Sequence, residues 1–571
     1  MDVRRTLGLL VILGAAAFWA ACSDPSFVLL PPVDAGKDDA VPDAAPALDA
    51  GEEPPPVDLE DFHVPGTQMG DAPPSSFLRP WDCAPCHGAS TMPAAPVPTW
   101  SASLMSVAGR DPLFFAQLAT ANQDVPGVGS YCLRCHVPMS IVTGHAADPT
   151  GESLTDFDKD GVTCHFCHTL VDPLTRAGAP DADAPILAAL ADRPAHYGNA
   201  QFVLDPNGLR RGPYPDAGAM HLFTGSPFMR SSNLCGTCHD VGNVAVDRVD
   251  GGYAYNAPKQ RASNPDPTAQ FPLERTFSEW RLSAFGKGGV DMGGRFGGLG
   301  ATVVSTCEDC HMPRENAKGC VFEPPRADLA RHDFAGASAW VLDIVSLREG
   351  PKVNQAALAQ GHANAVAMVQ RAATLSLGKV GTDLSVRVQN ESGHKLPTGH
   401  IEGRRVFLNV TFTDAQQKVV AEHGGWSMLT GDLTGLPTTI FEMHIGLTPE
   451  AAQKTGLPAG PTTHMSLADV VVKDNRIPPR GFSNATFEAA GAGAVGATYA
   501  DGQHWADVTF PIPAGATHVK VRLLYQTVTR EYIDALVSGN KTNDWGKLLE
   551  GLWMQTGRDP PIEMAVGDLN L

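Results

Sequence analysis

No cysteine occurs after Cys320 in the 571-residue chain, and no apolar run after residue 21 approaches about 18 residues. The second absence excludes a further membrane-spanning helix from the sequence pattern. Basic patches are also missing, and the formal net charge is −20, which excludes the electrostatic footprint of a nucleic-acid binder. Calcium loops, nucleotide-binding glycine motifs and nucleophile elbows do not stand out.

What the chain does hold is cysteine in pairs. Ten of its 12 cysteines fall into five Cys-x-x-Cys units, each followed at once by histidine. They are Cys83/Cys86 with His87, Cys132/Cys135 with His136, Cys164/Cys167 with His168, Cys235/Cys238 with His239, and Cys307/Cys310 with His311. This is the attachment signature of c-type haem. Two thiols three positions apart can add to the two vinyl groups on one haem edge, and the adjacent histidine reaches the iron as proximal ligand. Zinc ribbons use their Cys-x-x-Cys pairs two at a time and need no following histidine. A thioredoxin-like redox site uses the motif once, beside a strand–helix unit. Five repeats with an invariant histidine favour five covalently attached c-type haems and their irons.

Residues 1–21 read as an export signal. Arg4 and Arg5 precede an apolar run, Leu7 to Ala21, that is too short to span a bilayer. Ala20 and Ala21 then lead into Cys22, a lipidation candidate. Residues 22–61 form an acidic, Pro/Ala-rich tether: between Pro31 and Asp61 stand ten acidic residues, one lysine and seven prolines. Such a composition cannot bury enough apolar surface to fold.

Composition divides the remainder into two. Residues 62–370 hold every haem motif and are rich in Gly and Pro, with helices expected at Trp100–Gln123 and at 354–375. Residues 371–571 alternate apolar and polar at Leu384–Val388, Val406–Phe412 and Val519–Leu523, the period-two mark of half-buried strands. The expected fold class is therefore α+β: a loop-rich, mainly helical multihaem domain followed by an antiparallel β-sandwich-like domain.

Gly161-Val-Thr-Cys-His-Phe-Cys-His168, Cys307-Glu-Asp-Cys-His-Met-Pro313 and Ser392-Gly-His-Lys-Leu-Pro-Thr-Gly399 resemble bacterial multihaem cytochromes c. The resemblance is to the group related to the tetrahaem cytochrome of ammonia oxidation, and it reaches from the haem part into the β part. It implies stacked and angled haem pairs. It also implies distal histidines at His221 and His332, and a Trp-x-x-Ser-x-His frame whose histidine serves a neighbouring haem. Here Trp100-Ser-Ala-Ser103-Leu-Met105 keeps the frame with Met105 in place of histidine, and a thioether can ligate haem iron. Trp280-Arg-Leu-Ser283-Ala-Phe285 ends in Phe285, which cannot ligate, and so suggests one open iron.

His394, in the Gly-His-Lys-Leu-Pro-Thr-Gly turn, either leans back onto a haem or only hydrogen-bonds its turn. His145 and His196 are further distal candidates, although histidines in such Gly/Ala-rich loops are commonly solvated. His165 is displaced from its own motif's iron, and Cys320 reads as an inert buried thiol.

Five haems within about 230 residues must lie close together, which implies electron transfer in the periplasm or at the outer membrane or cell surface. Expected partners are redox proteins or an extracellular electron acceptor, with no nucleic acid and with membrane contact only through an N-terminal lipid. The alternative is a multihaem redox enzyme of nitrite or hydroxylamine type with one open coordination site. Against it, the Cys-x-x-Cys-Lys that marks such nitrite reductases is absent, and the hydroxylamine enzymes carry more haems than five.

Overall fold

In the Gly/Pro-rich half, local capping decides where helices begin and end. The computed structural model describes residues 62–571 except 93, 258 and 436, so the expected signal, Cys22 and the tether lie outside the described residues. The continuous helix expected at Trp100–Gln123 is three pieces: Pro96–Trp100, a 3₁₀ turn at Leu104–Arg110, and Pro112–Asp124. Ser103 caps the 3₁₀ turn by accepting from Ser106 N, and Asp111 restarts the helix by accepting from Leu113 N. Pro112 sits at the first helical position, where its missing N–H has no partner to lose. The second helix runs Gln355–Arg371, capped by Asn354, and stops short of 375 because Leu375 already belongs to a strand paired with Val388.

The fold is mixed α+β. Two antiparallel sheets make the C-terminal sandwich. One orders Ala373–Val380, Asp383–Asn390 and Trp505–Pro511. The other orders Val419–His423, Arg405–Thr413, His518–Gln526 and Ile562–Asn570, with Ile440–Phe441 added beside Arg405–Thr413. Alternation sets the inner faces: Leu384, Val386 and Val388 of one sheet meet Val406, Leu408, Val410, Val521 and Leu523 of the other, all buried. Each such side chain contributes about 1.5–3 kcal/mol on leaving water. Arg405–Thr413 departs from strict alternation, because Phe407 and Asn409 on its opposite face are buried as well.

The two halves share core. The C-terminal helices Arg530–Gly539 and Trp545–Gln555 send Ile533, Leu536, Leu549 and Trp553 into a cluster with Val107, Ala116 and Trp340. Leu447 and Leu467 likewise pack with Phe62, Tyr131 and Val244. The described residues accordingly form one compact unit. Among them no helix is long and apolar enough to cross a membrane.

Candidate functional site

Each Cys-x-x-Cys-His unit lies in or at the end of a short helix, at Pro80–His87, Gly129–His136, Cys164–Thr169, Ser232–Gly236 and Cys307–His311. Helical spacing puts residues i, i+3 and i+4 on one face, so both thiols and the following imidazole point the same way. Hydroxyl caps start three of these helices, Ser231 Oγ accepting from Asn233 N in the fourth motif. Thr163 Oγ1 accepts from Phe166 N, and Thr306 Oγ1 accepts from Asp309 N, whose carboxylate accepts from Thr306 N in return.

The motifs converge on one another. The Cys83 and Cys164 thiols are near neighbours that perturb each other's ionisation, which places the first motif beside the third. Cys135 likewise neighbours Cys238, and Cys235 neighbours Cys307, so the fourth motif lies beside both the second and the fifth. The first four motifs line a single cavity of about 840 Å³. Burial pushes the Cys132, Cys167 and Cys310 thiols up to about 12. The Cys83 thiol goes the other way, held down at about 7 chiefly by neighbouring Cys164. No three His, Cys, Asp or Glu side chains converge as a metal-ion site among the described residues.

The motif histidines are oriented through Nδ1. His87 donates to Gly319 O at 2.6 Å, His168 to Arg211 O at 2.6 Å and His311 to Ala335 O at 2.7 Å. His239 Nδ1 lies 3.2 Å from Glu274 Oε1. Burial opposes a charge on His239, but the hydrogen bond and charge of Glu274 outweigh it and raise its pKa to about 9. A metal-bound histidine characteristically donates its other N–H in this way, which leaves Nε2 bare for the metal. His136 differs: its ring stacks on Phe114, centroids 4.0 Å apart and planes 13° apart.

Two of the distal candidates face motif histidines. His332 stands opposite His168 with ring centroids 6.3 Å apart and planes at 24°, and His394 stands opposite His311 at 6.5 Å and 21°. Two nitrogens each about 2 Å from one metal, with each ring centroid about 1 Å further out, require about 6 Å between centroids. Both distal rings also turn Nδ1 to a carbonyl, His332 to Ala330 O at 3.1 Å and His394 to Lys395 O at 3.0 Å. Burial, with His168 nearby, lowers the His332 pKa to about 3, so its ring is neutral and carries a free lone pair. His221 lines the cavity with Nδ1 on Leu222 O at 3.1 Å, and burial, Arg210 and His87 hold its pKa down.

A buried ionic network fixes the loop that carries His394. Glu279 Oε2 accepts from Lys395 N at 3.0 Å and from Thr398 Oγ1 at 2.8 Å. The Lys395 ammonium pairs with Asp474 at 2.7 Å, and Arg476 binds both Asp474 at 2.7 Å and Glu279 at 3.1 Å. This polar network holds the β-sandwich against the helix Thr276–Leu282.

The two tryptophan frames act alike. Trp100 Nε1 donates to Val162 O, and Trp280 Nε1 donates to Ser305 O, each carbonyl lying two residues before the first cysteine of a motif. Ser103 and Ser283 both donate to their tryptophan's carbonyl at 2.7 Å. Met105 lines the cavity, whereas Phe285 is buried in a cluster beside Cys310. The Phe285 position therefore says nothing of an open iron at the fifth motif, where His394 faces His311.

Other sequence candidates are placed elsewhere. His145 and His196 lie outside the cavity lining, because carboxylates hold them: His145 Nδ1 is 2.7 Å from Asp158 and His196 Nδ1 is 3.3 Å from Asp266. His165 accepts from Leu78 N at Nδ1 and reaches Gly208 O with Nε2, so neither nitrogen is free. His400, which no sequence pattern marked, lines the cavity. It stands directly after Gly399, where the recognisable run ends.

The donor set, neutral imidazoles in facing pairs beside paired thiols, fits haem. Haem bound there would supply one-electron iron chemistry. No family model and no curated protein matches the chain. Among solved structures it is similar to the crystal structure of a penta-heme cytochrome c552 from Thermochromatium tepidum. The identity is 16% and the TM-score 0.47, with 87% of this chain and 99% of that chain covered.

Proposed function

We propose that the protein is an exported c-type cytochrome that binds five haems and passes electrons between redox partners in the periplasm or at the cell surface. The observation that carries this reading is the convergence of the motifs: four line one cavity, and two motif histidines face a second imidazole. Cys83–Cys164, Cys135–Cys238 and Cys235–Cys307 join the motifs into groups of two and three, and one cavity adjoins both groups. Cofactors attached at neighbouring residues have their edges close, which is the requirement for electron passage. The protein's own part is to fix ligand identity, burial and orientation. His332 and His394 would close the distal sides of the third and fifth irons, with His221 serving the first. Partners would be redox proteins or an extracellular acceptor, and a lipid on Cys22 would provide any membrane attachment.

A second reading, redox catalysis at one open iron, is favoured by a count. His332 and His394 face motif histidines and His221 and His400 line the cavity, so four imidazoles are on hand for five irons, and the fifth would fall to the Met105 thioether or stay open. The test is a pyridine haemochrome of the purified protein, with ferrous spectra taken with and without carbon monoxide. Five haems per chain are expected, and fewer would overturn the proposal. An unchanged spectrum under carbon monoxide leaves electron transfer alone. A shift in about one haem would make nitrite and hydroxylamine the next substrates to try.

A further inference from the structure

His400 is held the opposite way round from the histidines just described. Its Nε2 lies 3.0 Å from Tyr532 Oη, and Tyr532 Oη donates its only proton to Gln117 Oε1 at 2.6 Å. The Gln117 amide is itself oriented, because its nitrogen donates to Thr120 Oγ1 at 3.1 Å. Tyr532 can therefore only accept from His400, which fixes the tautomer as Nε2–H and leaves the lone pair on Nδ1. That Nδ1 has no hydrogen-bond partner in the structure. The atom is not sealed in the protein interior and opens onto the cavity that His400 lines.

One helix ties His400 to the second motif. Phe114 and Gln117, one turn apart on Pro112–Asp124, share a face. Phe114 stacks on the proximal His136, while Gln117 anchors the relay that ends at His400. The same helix thus braces both rings. Burial, Arg404 and His136 lower the His400 pKa to about 4, in keeping with a neutral imidazole beside His136.

We propose that His400 is the sixth ligand, bound through Nδ1, of the iron whose haem is attached at Cys132 and Cys135 and held by His136. The assignment rests on the five-haem reading. Tyr532 and Gln117 are positioning residues: by accepting the Nε2 proton through Tyr532 they fix the tautomer and raise the basicity of the ligand. Of the five motifs, only the fourth is then left without a histidine assigned to its distal side.

The experiment compares the holoprotein with its His400→Ala variant by carbon monoxide titration of the ferrous state and by electron paramagnetic resonance of the ferric state. The variant should bind one more carbon monoxide per chain than the wild type and gain one high-spin ferric signal, and added imidazole should reverse both. Equal carbon monoxide binding, or a gain that imidazole leaves unchanged, would overturn the assignment. Should His400→Ala not fold, Tyr532→Phe decides, since it keeps the ligand and removes only the acceptor of its N–H. It should stay as low-spin as the wild type and raise the midpoint potential of one haem, whereas five unchanged potentials would overturn the proposal. The haemochrome count separates the two claims: a wild-type chain with fewer than five haems defeats the five-haem reading itself, whatever the variants do.

Discussion

The Nδ1 atoms of His87, His168, His311, His332 and His394 all donate to backbone carbonyls, while those of His145 and His196 face carboxylates outside the cavity. Since motif His239 also meets a carboxylate, what separates them is the motif histidine that His332 and His394 each face, and this predicts which histidines matter to iron. His332→Ala should leave the haem count at five and make one more haem reactive to carbon monoxide. His145→Ala should change neither the count nor the reactivity. If His145→Ala opens a haem and His332→Ala does not, the assignment by facing rings is wrong. The five motifs were legible in the sequence because two thiols and an imidazole on one helical turn occupy five consecutive positions. The distal set was only partly legible. His332 faces His168 across 164 residues and His394 faces His311 across 83, so nothing local announces the pairing. What marks a distal ring is the motif histidine it faces, and this pairing exists only once the chain has folded.

At the scale of elements, the sandwich strands were readable because Leu384, Val386 and Val388 alternate with polar residues and one face of each sheet is buried. The helix expected at Trp100–Gln123 was misread, since Ser103 and Asp111 are caps and interrupt a run whose composition alone looks continuous. Asp559 shows another feature invisible to pattern. Its carboxylate, 2% exposed, accepts from Val528 N at 2.7 Å and so ties the turn after the helix Trp545–Gln555 to the start of Arg530–Gly539. Burial, opposed by its backbone hydrogen bonds, pushes its pKa up to about 7, against about 3.9 in the unfolded chain. Between those values the folded state holds a proton that the unfolded state has released. The contribution of Asp559 to stability is therefore full below about pH 3.9 and is lost as pH rises through about 7. Asn keeps the acceptor, cannot ionise, and tolerates the positive φ of 51° at this position. In urea unfolding, the midpoint of Asp559→Asn relative to wild type should move in the variant's favour between pH 5 and pH 8. A difference that does not change with pH would show that the carboxyl does not titrate in this range.

For the whole molecule, charge decides how partners approach. The chain carries a formal −20, of which the ten acids and one lysine between Pro31 and Asp61 supply nine, leaving a folded body that is also net acidic. A field of one sign raises the local concentration of oppositely charged partners and speeds their encounter, and salt screens it. The screening length falls from about 30 Å at 0.01 M to about 3 Å at 1 M ionic strength. At low salt a cationic mediator should therefore oxidise the reduced protein faster than an anionic mediator of matched potential. The ratio of the two rates should fall toward one as salt rises to 1 M. Deleting residues 31–61 divides the effect. If the low-salt ratio keeps most of its value, the net acidic folded body steers the mediator, and a basic redox protein is the natural partner. If the ratio collapses with the deletion, encounter is governed by the acidic segment, and the folded body accepts electrons without preference for charge. A ratio insensitive to salt in both chains would remove electrostatic steering from the account of this protein and leave haem exposure alone to set the rate.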